Sequence, residues 1–231
     1  MAKKRARRIT SEAFTVSDIS PLTENQKTAF ESTNNLILCG VAGSGKSFIA
    51  CYFAINDICN ELYDNIVLIR SAVPSRDIGF LPGTDKEKTR VYEEPYLSIF
   101  SEILGRGDAY EILKIKGLLH FLTTSYLRGL TIRNSVVIID ECQNMEFKEL
   151  DTIITRIGEN CRVIFCGDFK QTDLKVNGMR DFLNIIKYMP NQFDIIEFSI
   201  EDIVRSGLVG DYLKTIEKIK DGYFTTCPKL Y

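Results

Sequence analysis

The sequence predicts an α/β protein with a parallel sheet that is covered by helices on both faces. Short apolar strands alternate with helical stretches along the chain, and no internal repeat is visible. A glycine-rich stretch at residues 40–47 follows an apolar strand and precedes a helix. Residues 136–139 are all β-branched, which is typical of a central buried strand. In sheets of this kind, ligands bind at the carboxyl ends of the strands.

The chain order of the elements follows from apolar runs and helical periodicity. Parallel strands are predicted at residues 36–39, 66–70, 136–139, 162–166 and 193–198, the last being the fifth, with another strand at 118–122. Helices are predicted at residues 21–30, from 48 onward, and at 92–104, 108–116, 147–156, 176–189 and 208–220. The connection at residues 71–84 contains two prolines and two glycines, and long loops inside compact domains are usually functional.

Length and composition suit one domain with flexible ends. The 231 residues, 45% of them hydrophobic, can bury a sizeable core. We expect a flexible basic arm at residues 1–20, the domain itself at 21–222 and a tail at 223–231. The arm carries a basic cluster formed by Lys3, Lys4, Arg5, Arg7 and Arg8. This cluster is either a solvated tail or an arm attracted to phosphate backbones, although the net charge of the whole chain is −2.

Composition also argues against several classes of protein. No run of about 18 apolar residues could span a membrane. The N-terminus has charge without an apolar segment, which argues against a secretory signal. Seven cysteines without a C-x-x-C pair favour reduced thiols over a disulfide framework or a zinc site. We therefore expect a cytoplasmic protein without a membrane partner.

Residues 40–47 fit G-x-x-x-x-G-K-[ST], the phosphate-binding loop. Its glycines allow a tight turn that points backbone N–H groups and a helix N-terminus at anionic oxygen. Lys46 would reach the β- and γ-phosphates of a nucleotide, and the Ser47 hydroxyl would ligate Mg²⁺. A plain glycine-rich turn is the alternative. The residues expected to contact the nucleotide are Gly40, Val41, Ala42, Gly43, Ser44, Gly45, Lys46, Ser47 and Phe48.

Gln26 lies just upstream of this loop and has two interpretations. With Thr23 as the N-cap, Gln26 occupies the N3 position of a capping box. Alternatively, its amide could donate to and accept from the edge of an adenine at the same time. Both interpretations remain open from the sequence.

Two polar motifs follow predicted strands. Asp140 ends the strand at residues 136–139 and would hold Mg²⁺, while the neighbouring Glu141 can act as general base on the attacking water. This pair favours ATP hydrolysis over kinase chemistry, because a kinase does not need a carboxylate that activates water. Gln171 follows the strand at residues 162–166 and could bond both the γ-phosphate and the catalytic water. A polar turn is the alternative for each motif.

Together these motifs resemble the PhoH-type phosphate-starvation-inducible ATPases over roughly residues 20–220. In the family's order they are the loop at 40–47, Gly-Phe-Leu-Pro-Gly at 79–83, Leu-Arg-Gly at 127–129, Asp-Glu-x-Gln-Asn at 140–144, Thr-Arg-Ile-Gly at 155–158, Gly-Asp-x-x-Gln at 167–171 and Glu-Asp-x-Val-Arg at 201–205. The loop at 79–83 is the most family-specific, whereas the Asp-Glu and Gly-Asp-x-x-Gln motifs are shared with superfamily 1 helicases. Cys142 and Ser206 depart from the family pattern, which commonly has Ala or Ser and His at these positions.

The resemblance implies a RecA-like P-loop NTPase core, ATP and Mg²⁺ as cofactors, and a homo-oligomer in the form of a hexameric ring. It also implies a role in binding or unwinding single-stranded RNA or DNA, and the compact chain looks like a phage-type member. The alternative is an ATP-dependent switch that acts on a protein partner without moving along nucleic acid. A small-molecule kinase ranks below both because of Asp140 and Glu141.

An arginine finger would relieve the negative charge of the phosphoryl-transfer transition state. Arg205 is the first candidate, acting either from a neighbouring subunit or on its own nucleotide, and a surface ion pair with Glu201 or Asp202 is the third interpretation. Arg128 and Arg156 are further candidates. The surfaces expected to contact nucleic acid are the basic arm and the region of Arg76, Lys86, Lys88 and Arg90.

Overall fold

The structure, a computed structural model of the chain, describes residues 14–71, 85–168, 178–205 and 207–220, with the backbone alone for 85–89, 217 and 220. The helices are α1 (Glu24–Glu31), α2 (Lys46–Cys59), α3 (Asp85–Leu104), α4 (Ala109–Ile115), α5 (Phe147–Ile154), α6 (Gly178–Ile186) and α7 (Gly207–Lys220). The strands are β1 (Asn35–Gly40), β2 (Asn65–Arg70), β3 (Leu119–Thr123), β4 (Ser135–Asp140), β5 (Cys161–Gly167) and β6 (Phe193–Phe198).

The six strands form one sheet in the order β3-β2-β4-β5-β1-β6, and every pairing is parallel. The predicted parallel sheet is therefore confirmed, and β3 joins it as an edge strand. β5 lies between β1, which precedes the glycine-rich loop, and β4, which ends in Asp140. Because all strands run the same way, their carboxyl ends meet at one edge of the sheet.

Side chains alternate between two apolar cores, one on each face of the sheet. In β4, Val136 and Ile138 pack into a core that also contains residues of α2, α3 and α4. Val137 and Ile139 point to the other face, where they meet residues of α5 and α6. All six residues of β4 are buried, which explains why this strand is a continuous β-branched run. Helices on both faces of the parallel sheet confirm the predicted α/β architecture.

The stretch that precedes α1 departs from the expected flexible arm. Residues 14–20 form neither helix nor strand, yet Phe14 is buried in the core that contains α2 and α3. The backbone N–H of Ser17 donates to the carbonyl of Ile103 at 2.7 Å. Residues 14–20 therefore lie against the domain, because one aromatic side chain and a backbone hydrogen bond attach them to α3.

Helix α3 is longer than the sequence predicts. It begins at Asp85 rather than at residue 92, and Pro95 lies inside it. Residues 85–90 are mostly charged and have no apolar stripe, so helical periodicity could not reveal them. Within the described ranges, no helix is both long and apolar enough to cross a membrane.

Candidate functional site

The loop between β1 and α2 is held at the carboxyl edge of the sheet by the end of β6. Its glycines Gly40, Gly43 and Gly45 have φ angles of +128°, +82° and +86°, which residues with a Cβ rarely adopt. The N–H of Val41 donates to the carbonyl of Phe198 at 3.3 Å. A Cβ on Gly40 would lie 2.0 Å from that same carbonyl oxygen. The glycines thus set both the turn and the close approach of two strand ends.

Lys46 is the first residue of α2, and its side chain folds back into the loop. The Nζ donates to the carbonyls of Gly40 at 2.8 Å and Val41 at 2.7 Å, and to Ser44 Oγ at 3.3 Å. Burial lowers the pKa of Lys46, while nearby acidic groups oppose that shift. The ammonium group therefore sits inside the backbone cradle where phosphate oxygens would bind, and it can exchange carbonyl partners for phosphate.

The Ser47 hydroxyl and the Asp140 carboxylate are in direct contact. Ser47 Oγ donates to Asp140 Oδ1 at 2.9 Å, and the backbone N–H of Glu141 donates to the same oxygen at 3.0 Å. The other carboxylate oxygen, Oδ2, accepts from the hydroxyl of Tyr96 at 2.7 Å. Magnesium prefers hard oxygen ligands and commonly takes only one or two from the protein. Ser47 and Asp140 fit that donor set.

Glu141 follows β4 in the left-handed region, with a φ angle of +54°. This conformation is costly for a residue with a Cβ and often occurs at functional sites. Gln143 links Glu141 to β5: its Nε2 donates to Glu141 Oε2 at 2.5 Å, and its Oε1 accepts from the N–H of Asp168 at 3.1 Å. The next residue, Cys142, is fully buried, and this burial raises the pKa of its thiol. The departure from the family pattern therefore puts a neutral thiol into the core.

A pocket of about 910 Å³ opens above these residues. The loop, Asp140 and Glu141 line one part of it. Its apolar lining residues include Ile19, Leu22, Phe30, Phe48, Ile49 and Ile99. A mostly apolar wall beside a few convergent polar groups is typical of small-molecule sites. The pocket therefore combines groups that can bind an anion with apolar surface.

Gln26 also lines the pocket. It is 4% exposed, and Thr23 caps α1 as predicted by accepting from the N–H of Gln26. The side chain does not close the predicted capping box, because Gln26 Oε1 accepts from the N–H of Leu22 at 2.7 Å. Its Nε2 donates to the carbonyl of Ser44 at 3.2 Å. Gln26 thereby connects α1 to the phosphate-binding loop.

The three candidate arginines occupy different places. Arg205 is exposed and lines the pocket, with its Cγ 3.4 Å from the position that a Cβ on Gly43 would take. In the described part of the chain, Arg205 forms no ion pair with Glu201 or Asp202. Arg128 is exposed in the loop after β3, and Arg156 follows α5, where its carbonyl accepts from the N–H of Ile132. Neither of the latter two lines the pocket.

Two contributors were not apparent from the sequence. Tyr96 belongs to a stripe with Phe100 and Ile103 that is typical of an ordinary helix core, so its hydrogen bond to Asp140 left no signal. Asp202 is 2% exposed, and its carboxylate joins the start of α1 to the segment after β6, because Thr23 Oγ1 and Asn25 Nδ2 both donate to it.

Several predicted residues lie outside the described residues. They are Gln171, Arg76, Ser206, the loop at 79–83, the basic cluster at 3–8, the side chains of Lys86 and Lys88, and the tail at 223–231.

Solved structures that align with the chain include a Bacteroides Pif1 bound to single-stranded DNA, with a TM-score of 0.44 and 16% identity over 90% of this chain and 48% of that one. A large terminase from a thermophilic bacteriophage aligns with a TM-score of 0.49 and 9% identity over 86% of this chain and 50% of the terminase.

Sequence relatives are closer. The chain is 31% identical over 205 residues to a PhoH-like protein of Bacillus subtilis (strain 168), and this alignment covers 87% of this chain and 64% of the relative. It is 34% identical over 185 residues to Protein PhoH of Escherichia coli (strain K12), which covers 78% of this chain and 52% of the relative. The chain thus spans between about half and two thirds of the length of these relatives. Residues 18–217 match the family described as PhoH-like protein. The chain belongs to the PhoH-like protein family.

Proposed function

We propose that this protein binds ATP with Mg²⁺ and hydrolyses it, and that hydrolysis is coupled to single-stranded RNA or DNA. The observation that carries the hydrolysis proposal is the convergence of Lys46, Ser47, Asp140 and Glu141 on one pocket. A loop for phosphate, an oxygen pair for the metal and a second carboxylate next to that pair are the parts that phosphoryl transfer to water needs.

In this proposal each residue has one task. Lys46 leaves the carbonyls of Gly40 and Val41 and bonds to phosphate oxygens. Ser47 and Asp140 hold Mg²⁺, which when bound neutralises phosphate charge and orients the terminal phosphate. Glu141 accepts the proton of the attacking water.

Gln143 and Gln26 have supporting tasks. The amide of Gln143 fixes the orientation of the Glu141 carboxylate from one side, since its own oxygen is held by the N–H of Asp168. Gln26 uses one amide hydrogen and one lone pair of its oxygen in the structure, so a second hydrogen and a second lone pair remain for the edge of an adenine. The apolar wall with Phe48 would cover the face of the base.

The test is ATP turnover by the purified chain with and without Mg²⁺. Lys46→Ala should abolish turnover, because the loop then loses the ammonium group that compensates the phosphate charge. Lys27→Ala is the matched control, since Lys27 is an exposed lysine that forms only a 3.9 Å surface pair with Glu24. Turnover that survives Lys46→Ala, or that needs no Mg²⁺, would contradict the proposal.

Coupling to nucleic acid rests on fewer observations. The basic cluster at residues 3–8 and the exposed Arg90 on α3 offer local positive charge on a chain whose net charge is −2. Poly(U) or single-stranded DNA should raise ATP turnover, and deletion of residues 1–8 should weaken binding and flatten its salt dependence. If full-length protein binds no nucleic acid at low salt, the second candidate, an ATP-dependent switch on a protein partner, is favoured.

The hexameric ring and the arginine finger also remain proposals. Arg205 lies beside Gly43 of its own chain, which favours contact with its own nucleotide. A mixture of inactive Lys46→Ala and inactive Arg205→Ala proteins should then stay inactive. Recovery of turnover in the mixture would instead place Arg205 at the site of a neighbouring subunit in a closed ring.

The six cysteines within the described ranges are all free thiols, which supports a reducing compartment, and we propose the cytoplasm.

A further inference from the structure

The magnesium-binding carboxylate proposed above is held by a tyrosine from a different helix. Tyr96, on α3, is 1% exposed and donates its phenolic O–H to Asp140 Oδ2 at 2.7 Å. The opposite oxygen, Oδ1, accepts from Ser47 on α2 and from the backbone N–H of Glu141. Donors from two helices and the strand end therefore fix both oxygens of one carboxylate that is itself only 7% exposed.

The orientation of this carboxylate is not determined by Asp140 alone. The terminal torsion of an aspartate is broad and two-fold, so external partners decide how the plane of the carboxylate is turned. Tyr96 is a stiff partner: it lies in the same core as Phe100, and its ring stands 6.1 Å from that of Phe121. A rigid donor on Oδ2 leaves Oδ1 for Ser47, which is the arrangement that the magnesium site requires.

We propose that Tyr96 is a positioning residue for the magnesium site, which it serves by holding Asp140 in the orientation that faces Ser47. Tyr96 also lines the pocket, but in this proposal it acts through the Asp140 carboxylate and not directly on the nucleotide or the metal. The inference rests on the proposed function, because it assigns a supporting residue to the same metal site.

The chain offers a matched control. Tyr110 is also 1% exposed, belongs to the same core and donates its phenolic O–H to a buried carboxylate, that of Glu93, at 2.6 Å. Glu93 and Tyr110 do not line the pocket. Tyr96→Phe and Tyr110→Phe each remove one oxygen from the same core, so both should lower the melting temperature modestly, while only one alters the site.

The experiment titrates Mg²⁺ into a mixture of the protein and a fluorescent ADP analogue and measures binding of the analogue. The titration is then repeated with ATP turnover as the measured quantity. For Tyr96→Phe, half-maximal binding of the analogue should need about tenfold more Mg²⁺, since loss of a residue that orients a metal ligand typically lowers the affinity for the metal by that factor or more. Excess Mg²⁺ should restore turnover, and binding in EDTA should equal that of the wild type. Tyr110→Phe should match the wild type throughout.

Three results would overturn the inference, and they can be told apart. If the wild type binds the analogue in a Mg²⁺-dependent way and Tyr96→Phe has the same Mg²⁺ requirement, Tyr96 is a packing residue and the proposed function stands. If the wild type itself shows no Mg²⁺-dependent binding, the proposed function and this inference both fail. An equal increase in the Mg²⁺ requirement of Tyr96→Phe and Tyr110→Phe would show a general loss of core stability and would also overturn the inference.

Discussion

Replacing Asp202 with alanine tests how the first helix is attached to the pocket. The Asp202 carboxylate accepts hydrogen bonds from Thr23 Oγ1, from Asn25 Nδ2 at 2.7 Å, and from both the amide and the hydroxyl of Ser199, at 2.7 and 3.1 Å. Thr23 and Asn25 stand at the start of α1, which carries Gln26. The substitution therefore cuts the link between this end of α1 and the chain segment that leads to Arg205.

The loss of stability expected for Asp202→Ala follows from the hydrogen bonds that it removes. Four hydrogen bonds at about 0.5–1.5 kcal/mol each give a range of about 2–6 kcal/mol. Thr23 and Asn25 are half-buried and can re-bond to water, so we expect the free energy of unfolding to fall by about 2–4 kcal/mol. With a urea dependence of about 3 kcal/mol per molar, the midpoint should fall by about 1 M. Nucleotide affinity should also fall, because Gln26 loses its fixed position.

Asp194→Ala is the matched control for this prediction. Asp194 also joins the region of α1 to β6, through Ser32 Oγ at 2.6 Å and Asn34 Nδ2 at 3.2 Å, but it does not line the pocket. Urea unfolding should show a loss of about 1 kcal/mol for these two partly exposed bonds. Nucleotide binding should be unchanged. If Asp202→Ala unfolds at the wild-type midpoint, or binds nucleotide as the wild type does, the attachment has no such role.

The stability contribution of Asp202 should depend on pH. Burial alone would raise its pKa, but the hydrogen bonds from Thr23, Asn25 and Ser199 outweigh burial and hold the pKa of Asp202 below its ordinary value. A carboxylate whose pKa is lower in the folded state contributes fully above its unfolded pKa of about 3.9 and loses that contribution as pH falls through the folded value. The difference between wild type and Asp202→Ala should therefore be largest at neutral pH and shrink below about pH 4.

Two further predictions concern residues of β1 and β5. Gly40→Ala should lower the free energy of unfolding by more than about 3 kcal/mol, because the new Cβ would lie 2.0 Å from the carbonyl oxygen of Phe198. Gly107→Ala is the control: a Cβ there would have nothing within 4 Å, so the free energy of unfolding should change by no more than about 0.5 kcal/mol in the same thermal unfolding assay. Equal melting temperatures would contradict this. Arg162→Ala should lower the free energy of unfolding, measured in urea, by about 3–5 kcal/mol, since it removes the guanidinium that lies 3.0 Å from the buried Asp57 carboxylate. A loss below about 1 kcal/mol would contradict the assignment.

The sequence predicted those features that local patterns encode. The strands were apparent because parallel strands buried on both faces are continuous apolar runs. The loop around Lys46 was apparent because its glycine spacing reflects a backbone conformation that only glycine adopts easily. Asp140 and Glu141 lie at the carboxyl edge as expected, because Asp140 is the last residue of β4 and Glu141 directly follows it.

Contacts between distant parts of the chain were not predictable in this way. Thr23 and Asp202 are 179 positions apart, and no local pattern pairs them. Tyr96 is indistinguishable in sequence from the other apolar residues of α3, so its contact with Asp140 emerges only when α3 packs against α2 and the sheet. Phe14 lies in a stretch without periodicity, and its burial depends on a core surface that α2 and α3 build.

The measurement that tests the central claim most directly compares binding and hydrolysis in Glu141→Gln. The amide cannot accept the proton of water, yet it keeps the size of the side chain. We predict wild-type affinity for Mg²⁺ and ATP together with turnover slower by about 100-fold or more. Glu159→Gln, at an exposed glutamate outside the pocket, should leave both quantities unchanged. Turnover by Glu141→Gln at the wild-type rate would contradict the claim that Glu141 activates water in this pocket.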